Sequence, residues 1–167
     1  SAAETLKTGW VNSVMPSSEG NGKMCWRIRL IQMSRYFKVV LCNGCFDLAH
    51  YGHLLHLEAA KKMGSFLVVS VTHDDYVNKG PGRPVYPHKQ RAALVAALRC
   101  VDEVIIVKSL ISAMKLVRPD ILVKGMDYKG GLDQEHQDYC KQYGIEIRYT
   151  DTPKYSATEL IRGLRKN

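Results

Sequence analysis

From residue 36 onward, short apolar runs alternate with stretches whose apolar residues recur at helical spacing. Lys38–Cys42 (KVVLC) and Phe66–Thr72 (FLVVSVT) are almost continuously apolar, which suits strands buried on both faces. Between them Leu54, Leu55, Leu57, Ala60 and Met63 line one broad face of a helix expected over His50–Met63, with Gly64 as its stop. Gly80, Pro81, Gly82 and Pro84 predict a loop, and Pro87 fits the first turn of a helix running to Arg99. The rest of the pattern predicts strand Val104–Val107, helix Leu110–Val117, strand Ile121–Val123, helix Asp133–Tyr143 ended by Gly144, strand Ile145–Tyr149 and helix Thr158–Lys166. Strands alternating with helices imply an α/β fold, a Rossmann-like doubly wound parallel sheet of five strands with helices on both faces.

The first 35 residues follow no such rule. Ser13–Gly22 is rich in Ser, Gly, Asn and Pro, and Trp10, Trp26, Ile28, Leu30 and Ile31 keep no sustained period. Residues 1–35 are therefore expected to be a loop-rich or partly disordered extension, and 36–167 one domain. The segment lacks the apolar stretch and small-residue cleavage site of a signal peptide.

Composition narrows the function classes. Of 167 residues 46% are hydrophobic, enough for a real core, and no apolar run approaches the roughly 18 residues a membrane span needs. Five cysteines, an odd number, argue against a disulfide scaffold and for a reducing, cytoplasmic compartment. The net charge of +8 favours an anionic ligand. It forms no dense basic stripe interleaved with aromatics, so nucleic acid is not the expected partner.

In sheets of this kind ligands bind beyond the carboxyl ends of the strands, where strand order switches. The first strand-to-helix loop reads Asn43-Gly44-Cys45-Phe46-Asp47-Leu48-Ala49-His50-Tyr51-Gly52-His53. Two histidines three apart in the first turn of a helix sit where backbone N–H groups already favour an anion. Gly52 between them leaves room for a phosphate to approach the backbone. Imidazole N–H groups aimed at phosphoryl oxygens can stabilise charge that grows in a transition state.

These residues resemble the HxGH nucleotidyltransferase superfamily, which is cytidylyltransferase-like. Gly44–Asp47 is similar to its GxFD and His50–His53 to HxGH. Arg99–Val104 is similar to R-x-V-D-E-V, and Tyr155-Ser156-Ala157-Thr158 stands where the family has its S-x-T signature. Lys124-Gly125-Met126-Asp127-Tyr128 and Gly80-Pro81-Gly82-Arg83-Pro84 resemble segments of the heptose-1-phosphate and sugar-phosphate branch. A glycerol-phosphate or other CTP-dependent cytidylyltransferase is the alternative within this resemblance, but the glycerol-phosphate enzymes usually carry an arginine where this chain has Asp151. Arg162 falls one residue beyond the arginine of pantetheine and nicotinamide enzymes. Ala157 and Lys154 depart from the usual threonine and glycine.

The resemblance implies transfer of a nucleoside monophosphate from ATP, or alternatively CTP, to a phosphorylated sugar or polyol, with release of pyrophosphate. It casts His50, His53, Lys79 and Arg91 as the catalytic triphosphate contacts. It assigns nucleotide binding to Asn43, Gly44, Cys45, Phe46, Asp47, Gly52, Lys124, Gly125, Asp127, Ser156, Ala157 and Thr158. The acceptor falls to Lys124, Asp127 and Tyr128. Asp47 is the expected acidic partner, acting through the histidines or a metal. Mg²⁺ is expected as a charge shield, held more by phosphate and water than by protein, and a homodimer is common in such enzymes.

Two readings of another class compete. Cys42-x-x-Cys45, with His50, His53 and His56 close behind, is a candidate metal-binding module. Cys42 closes a strand, however, while the histidines open a helix, so one tetrahedral metal would be cramped among them. A thioredoxin-like pair would open the helix instead. An inactive nucleotide-binding regulator of the same fold is the other alternative, and the intact His50 and His53 argue against it.

Overall fold

The computed structural model describes residues 37–126, 131–153 and 155. Among these, five strands and four α-helices alternate: β1 (Val39–Gly44), α1 (Tyr51–Lys61), β2 (Phe66–Thr72), α2 (His88–Ala96), β3 (Glu103–Val107), α3 (Leu110–Val117), β4 (Ile121–Gly125), α4 (Gln134–Tyr143) and β5 (Glu146–Thr150). The strands lie in the order β3-β2-β1-β4-β5, and every pair is parallel.

Alternation along β1 divides the core. Val40 and Cys42 point to one face, where they meet Leu57 and Ala60 of α1 and Ala92, Val95 and Ala96 of α2. Val39 and Leu41 point to the other, against Ala113, Met114 and Val117 of α3 and Cys140 of α4. A strand apolar on both faces requires a helical layer on each side, which is why KVVLC carries no polar alternation. The order reverses between β1 and β4, and the loops leaving these two strands diverge there. That switch point opens a crevice at their carboxyl ends, at Gly44 and Gly125.

Some expected boundaries move for identifiable reasons. α1 stops at Lys61 with a right-handed cap at Lys62, so Gly64 does not end it by a left-handed turn. A Cβ on Gly64 would stand 2.5 Å from Val40 Cγ2 and 2.6 Å from the Lys38 carbonyl. Close packing on β1 is what excludes a side chain there. Pro87 is the cap before α2, with ψ of 149°, and the helix ends at Ala96 rather than Arg99. The expected helix Thr158–Lys166 and the extension 1–35 lie outside the described residues. Among the described residues no helix is long and apolar enough to cross a membrane.

Candidate active site

The loop that leaves β1 holds its shape by two unusual backbone conformations. Phe46 and Leu48 have φ of 52° and 53°, in the left-handed region that L-residues avoid. Such strain persists only where the surroundings fix it. Phe46 is buried in the core beneath α1, and Asp47 between the two is almost fully buried. The Asp47 carboxylate accepts Arg83 Nε at 2.6 Å, the Val85 amide at 3.0 Å and the Tyr86 amide at 3.2 Å. Burial alone would push this carboxyl up, but the two amides and the Arg83 guanidinium together hold it below the ordinary carboxylate range.

α1 begins immediately after, with His50 as its extended cap residue. The His50 amide donates to His53 Nδ1 at 3.3 Å, and the two rings lie 3.9 Å apart between centroids, tilted by 31°. With Nδ1 accepting, neutral His53 carries its proton on Nε2. Burial first, then the charges of His50, Lys79 and His56, push its pKa down to about 4. The same causes, burial and then Lys79, lower His50. Both rings are thus neutral donors at physiological pH.

Gly52 lines the cavity and also lies against a neighbour from the far end of the chain. A Cβ there would lie 2.9 Å from Tyr155 Cβ and 3.0 Å from His50 Cε1. The missing side chain thus leaves room for Tyr155, beyond β5, against the start of α1.

Around these groups lies a cavity of about 490 Å³, within the usual range for small-molecule sites. Asn43, Gly44, Cys45 and Phe46 line it from β1 and its loop, and His50, Gly52, His53 and His56 from α1. Tyr76, Val77, Asn78 and Lys79 follow β2, Lys124, Gly125 and Met126 close β4, and Thr152, Pro153 and Tyr155 follow β5. Lys124 is buried yet reaches the cavity, while Lys79 is exposed at its edge. No carboxylate is among the described lining residues, so the site presents cations and neutral donors to its ligand.

Two sequence-based assignments are corrected here. Arg91 was expected to reach the phosphates, but its guanidinium is fully buried. It donates to the carbonyls of Tyr86 (2.8 Å), Thr72 (2.8 Å) and Cys45, and to Asp74 Oδ1 at 2.6 Å. It ties together three loops that surround the cavity. Asp47 was expected to act through the histidines or a metal, and it serves instead as the anchor of the 83–86 segment. Asn43 lines the cavity while its Nδ2 donates to Ser70 Oγ at 3.0 Å. Asp127, Tyr128, Ser156, Ala157 and Thr158 lie outside the described residues.

The cavity also contains residues that sequence reasoning did not assign to it: His56, Tyr76, Asn78, Met126, Thr152 and Tyr155. His56 had a signal, since it continues the three-residue spacing of His50 and His53. The others depend on how loops from separate strands meet. Cys42, the first member of the supposed metal pair, packs in the apolar core, and burial pushes its thiol up to about 12. Among the described residues no three His, Cys, Asp or Glu side chains converge to hold a metal ion.

The cytidylyltransferase-like family model matches residues 41–163, which run from within β1 through every later element described. The chain belongs to this family. It is 36% identical over 134 residues to the bifunctional protein HldE of Alcanivorax borkumensis, and 42% identical over the same length to that of Gluconobacter oxydans. Each match takes in 77% of this chain and 28% of the relative, so the chain spans little more than a quarter of these curated relatives. The lipopolysaccharide core biosynthesis protein of Thermoplasma volcanium has a solved structure that superposes with a TM-score of 0.60 at 31% identity. That match covers 72% of this chain and 99% of the other.

Proposed function

We propose that this cytidylyltransferase-like chain transfers a nucleoside monophosphate, AMP in preference to CMP, from a nucleoside triphosphate to a phosphorylated sugar, releasing pyrophosphate. The observation that carries the reading is the stacked, neutral His50–His53 pair facing a cavity whose described lining is cationic, at the switch point of the sheet.

The acceptor phosphate supplies its own nucleophile, being mostly dianionic at pH 7 because its second pKa is about 6. One of its oxygens bonds to the α-phosphorus while the bond to the bridging oxygen breaks, and pyrophosphate leaves with that electron pair. The protein needs no nucleophilic side chain. Its task is to align the two substrates and to stabilise the charge of the five-coordinate array. Neutral His53 donates from Nε2, and His50 and Lys79 flank the same phosphates. Lys124, on the opposite strand, meets the acceptor.

The described lining of the cavity offers Mg²⁺ no carboxylate. In this reading Mg²⁺ arrives as the counter-ion of the triphosphate.

The sugar-phosphate preference draws on the Gly80–Pro84 and Lys124–Tyr128 segments and on the likeness to the lipopolysaccharide core biosynthesis protein of Thermoplasma volcanium. The test is a pyrophosphate-release assay of four nucleoside triphosphates against a panel of sugar and polyol phosphates. Turnover is expected for ATP with a sugar phosphate. Turnover with CTP alone would reverse the nucleotide preference, and release with no pair at all would leave an inactive nucleotide-binding regulator in place of the enzyme.

A further inference from the structure

Helix α1 carries a third histidine in line with the first two. His56 lines the same cavity as His50 and His53, and its Nδ1 shares a hydrogen bond of 2.6 Å with Thr150 Oγ1. Thr150 is the last residue of β5 and is almost completely buried. β5 is an edge strand, paired with β4 alone, and α1 packs across it. Beyond Thr150 the chain turns along the cavity through Thr152, Pro153 and Tyr155. Among the described residues no backbone hydrogen bond ties 151–153 to the rest of the fold.

This stretch therefore meets α1 at two levels. Tyr155 closes on Gly52 at the top of the helix. His56 holds Thr150 four residues further along, about 6 Å lower at 1.5 Å per residue. The two contacts together set the distance between the histidine edge of α1 and the wall of the cavity that faces it. Burial alone does not call for a histidine at position 56. Its neighbours Leu54, Leu55 and Leu57 show that an apolar residue is accommodated on this helix, whereas only a polar one can engage the Thr150 hydroxyl.

We propose that His56 is a positioning residue of the transfer reaction: its bond to Thr150 fixes the chain beyond β5 against α1 and so sets the width of the cleft that grips the triphosphate. The inference rests on the nucleotidyltransferase reading for its kinetic arm only.

The test compares His56→Leu, which keeps bulk but loses the bond, with His56→Asn, whose amide places a polar atom at the depth of Nδ1, and with Thr150→Val. The expected result is a rise of about tenfold in KM for ATP in His56→Leu and Thr150→Val, with kcat changed much less. His56→Asn should recover to within about threefold of wild type. The double variant should be no worse than either single one, as for two partners of one bond. Hydrogen exchange, read without any substrate, should show faster exchange of the β5 amides, which the ladder to β4 protects, in His56→Leu and Thr150→Val but not in His56→Asn. Wild-type exchange in His56→Leu would overturn the proposal, as would equal loss of melting temperature in all three variants with no change in KM. If the wild-type chain transfers nothing, the function assigned above fails, and the exchange experiment still decides whether His56 holds this wall.

Discussion

Arg83 Nε donates to Asp47 Oδ2 at 2.6 Å, and through this bond the strained loop after β1 is joined to the segment that leads into α2. The carboxylate is shielded completely and the guanidinium nearly so. The amides of Val85 and Tyr86 complete the coordination of the carboxylate, leaving it no path to the histidines.

Removing this anchor should therefore cost stability. Asp47→Ala is expected to destabilise the fold by about 3 kcal/mol, the scale for breaking one side of a buried ion pair. The sign with pH follows from the lowered carboxyl: its contribution is present above the ordinary carboxylate range and is lost as pH falls through the lowered value. Denaturant titrations of wild type and variant at pH 7 should differ clearly, and the gap should close in strong acid. Unchanged stability with lost activity would return Asp47 to the chemistry.

Arg91 and Lys79, two cations given one role by sequence, should separate in experiment. Arg91 is buried among three carbonyls and Asp74, so Arg91→Met leaves several buried acceptors unpaired and should cost roughly 3–5 kcal/mol. Lys79 is exposed at the cavity edge, and Lys79→Ala should leave the melting temperature within a degree or two. It should weaken ATP binding about tenfold by calorimetry, a loss of about 1.4 kcal/mol. A stable, folded Arg91→Met with weakened ATP binding would restore Arg91 as a phosphate contact.

This pair shows where the sequence is legible and where it is not. The continuous apolar runs of β1 and β2 could only be buried strands, and the switch-point argument led from them to the His50 loop before any contact was known. Local pattern carries that much. Whether a charged side chain faces a ligand or ties loops together depends on which loops meet, and here Cys45, Thr72, Asp74 and Tyr86 come from three separate places in the chain. Spacing cannot encode such a convergence. Gly52 teaches the same lesson, because a Cβ there would meet Tyr155, more than a hundred residues away.

His53 should titrate far from an ordinary imidazole. Its pKa, pushed down to about 4 chiefly by burial, lies below that of the unfolded chain, so the unfolded state binds the proton more tightly. The neutral ring contributes fully to stability above about pH 6.5, and this contribution falls as pH drops toward 4. Pyrophosphate in the cavity adds negative charge beside the ring and should raise its pKa by about one unit or more. NMR titration of the ring protons with and without pyrophosphate measures this directly, and an unchanged value would place the ring away from the phosphates. His53→Ala should then lower kcat by about 10²–10³, the range for losing one preorganised donor, with the fold intact.

Gly52→Ala distinguishes two explanations of the same glycine. On helix propensity alone alanine is favoured by roughly 1 kcal/mol in a helix interior, so a neutral environment would make the variant slightly more stable. Here the added Cβ would stand 2.9 Å from Tyr155 Cβ and 3.0 Å from His50 Cε1, and one of them must move. The expected outcome is a protein of nearly unchanged melting temperature whose kcat/KM falls at least about tenfold, because the ring of His50 or the wall beyond β5 is displaced. Tyr155→Gly removes the nearest of those contacts, so Gly52→Ala in a Tyr155→Gly background should cost much less than it does alone. If the glycine served the approach of a phosphate, the methyl group would obstruct the ligand whatever stood at position 155. The loss from Gly52→Ala would then be the same in both backgrounds. Steady-state kinetics on the four proteins of this cycle decides between a glycine that admits the ligand and one that admits the chain beyond β5.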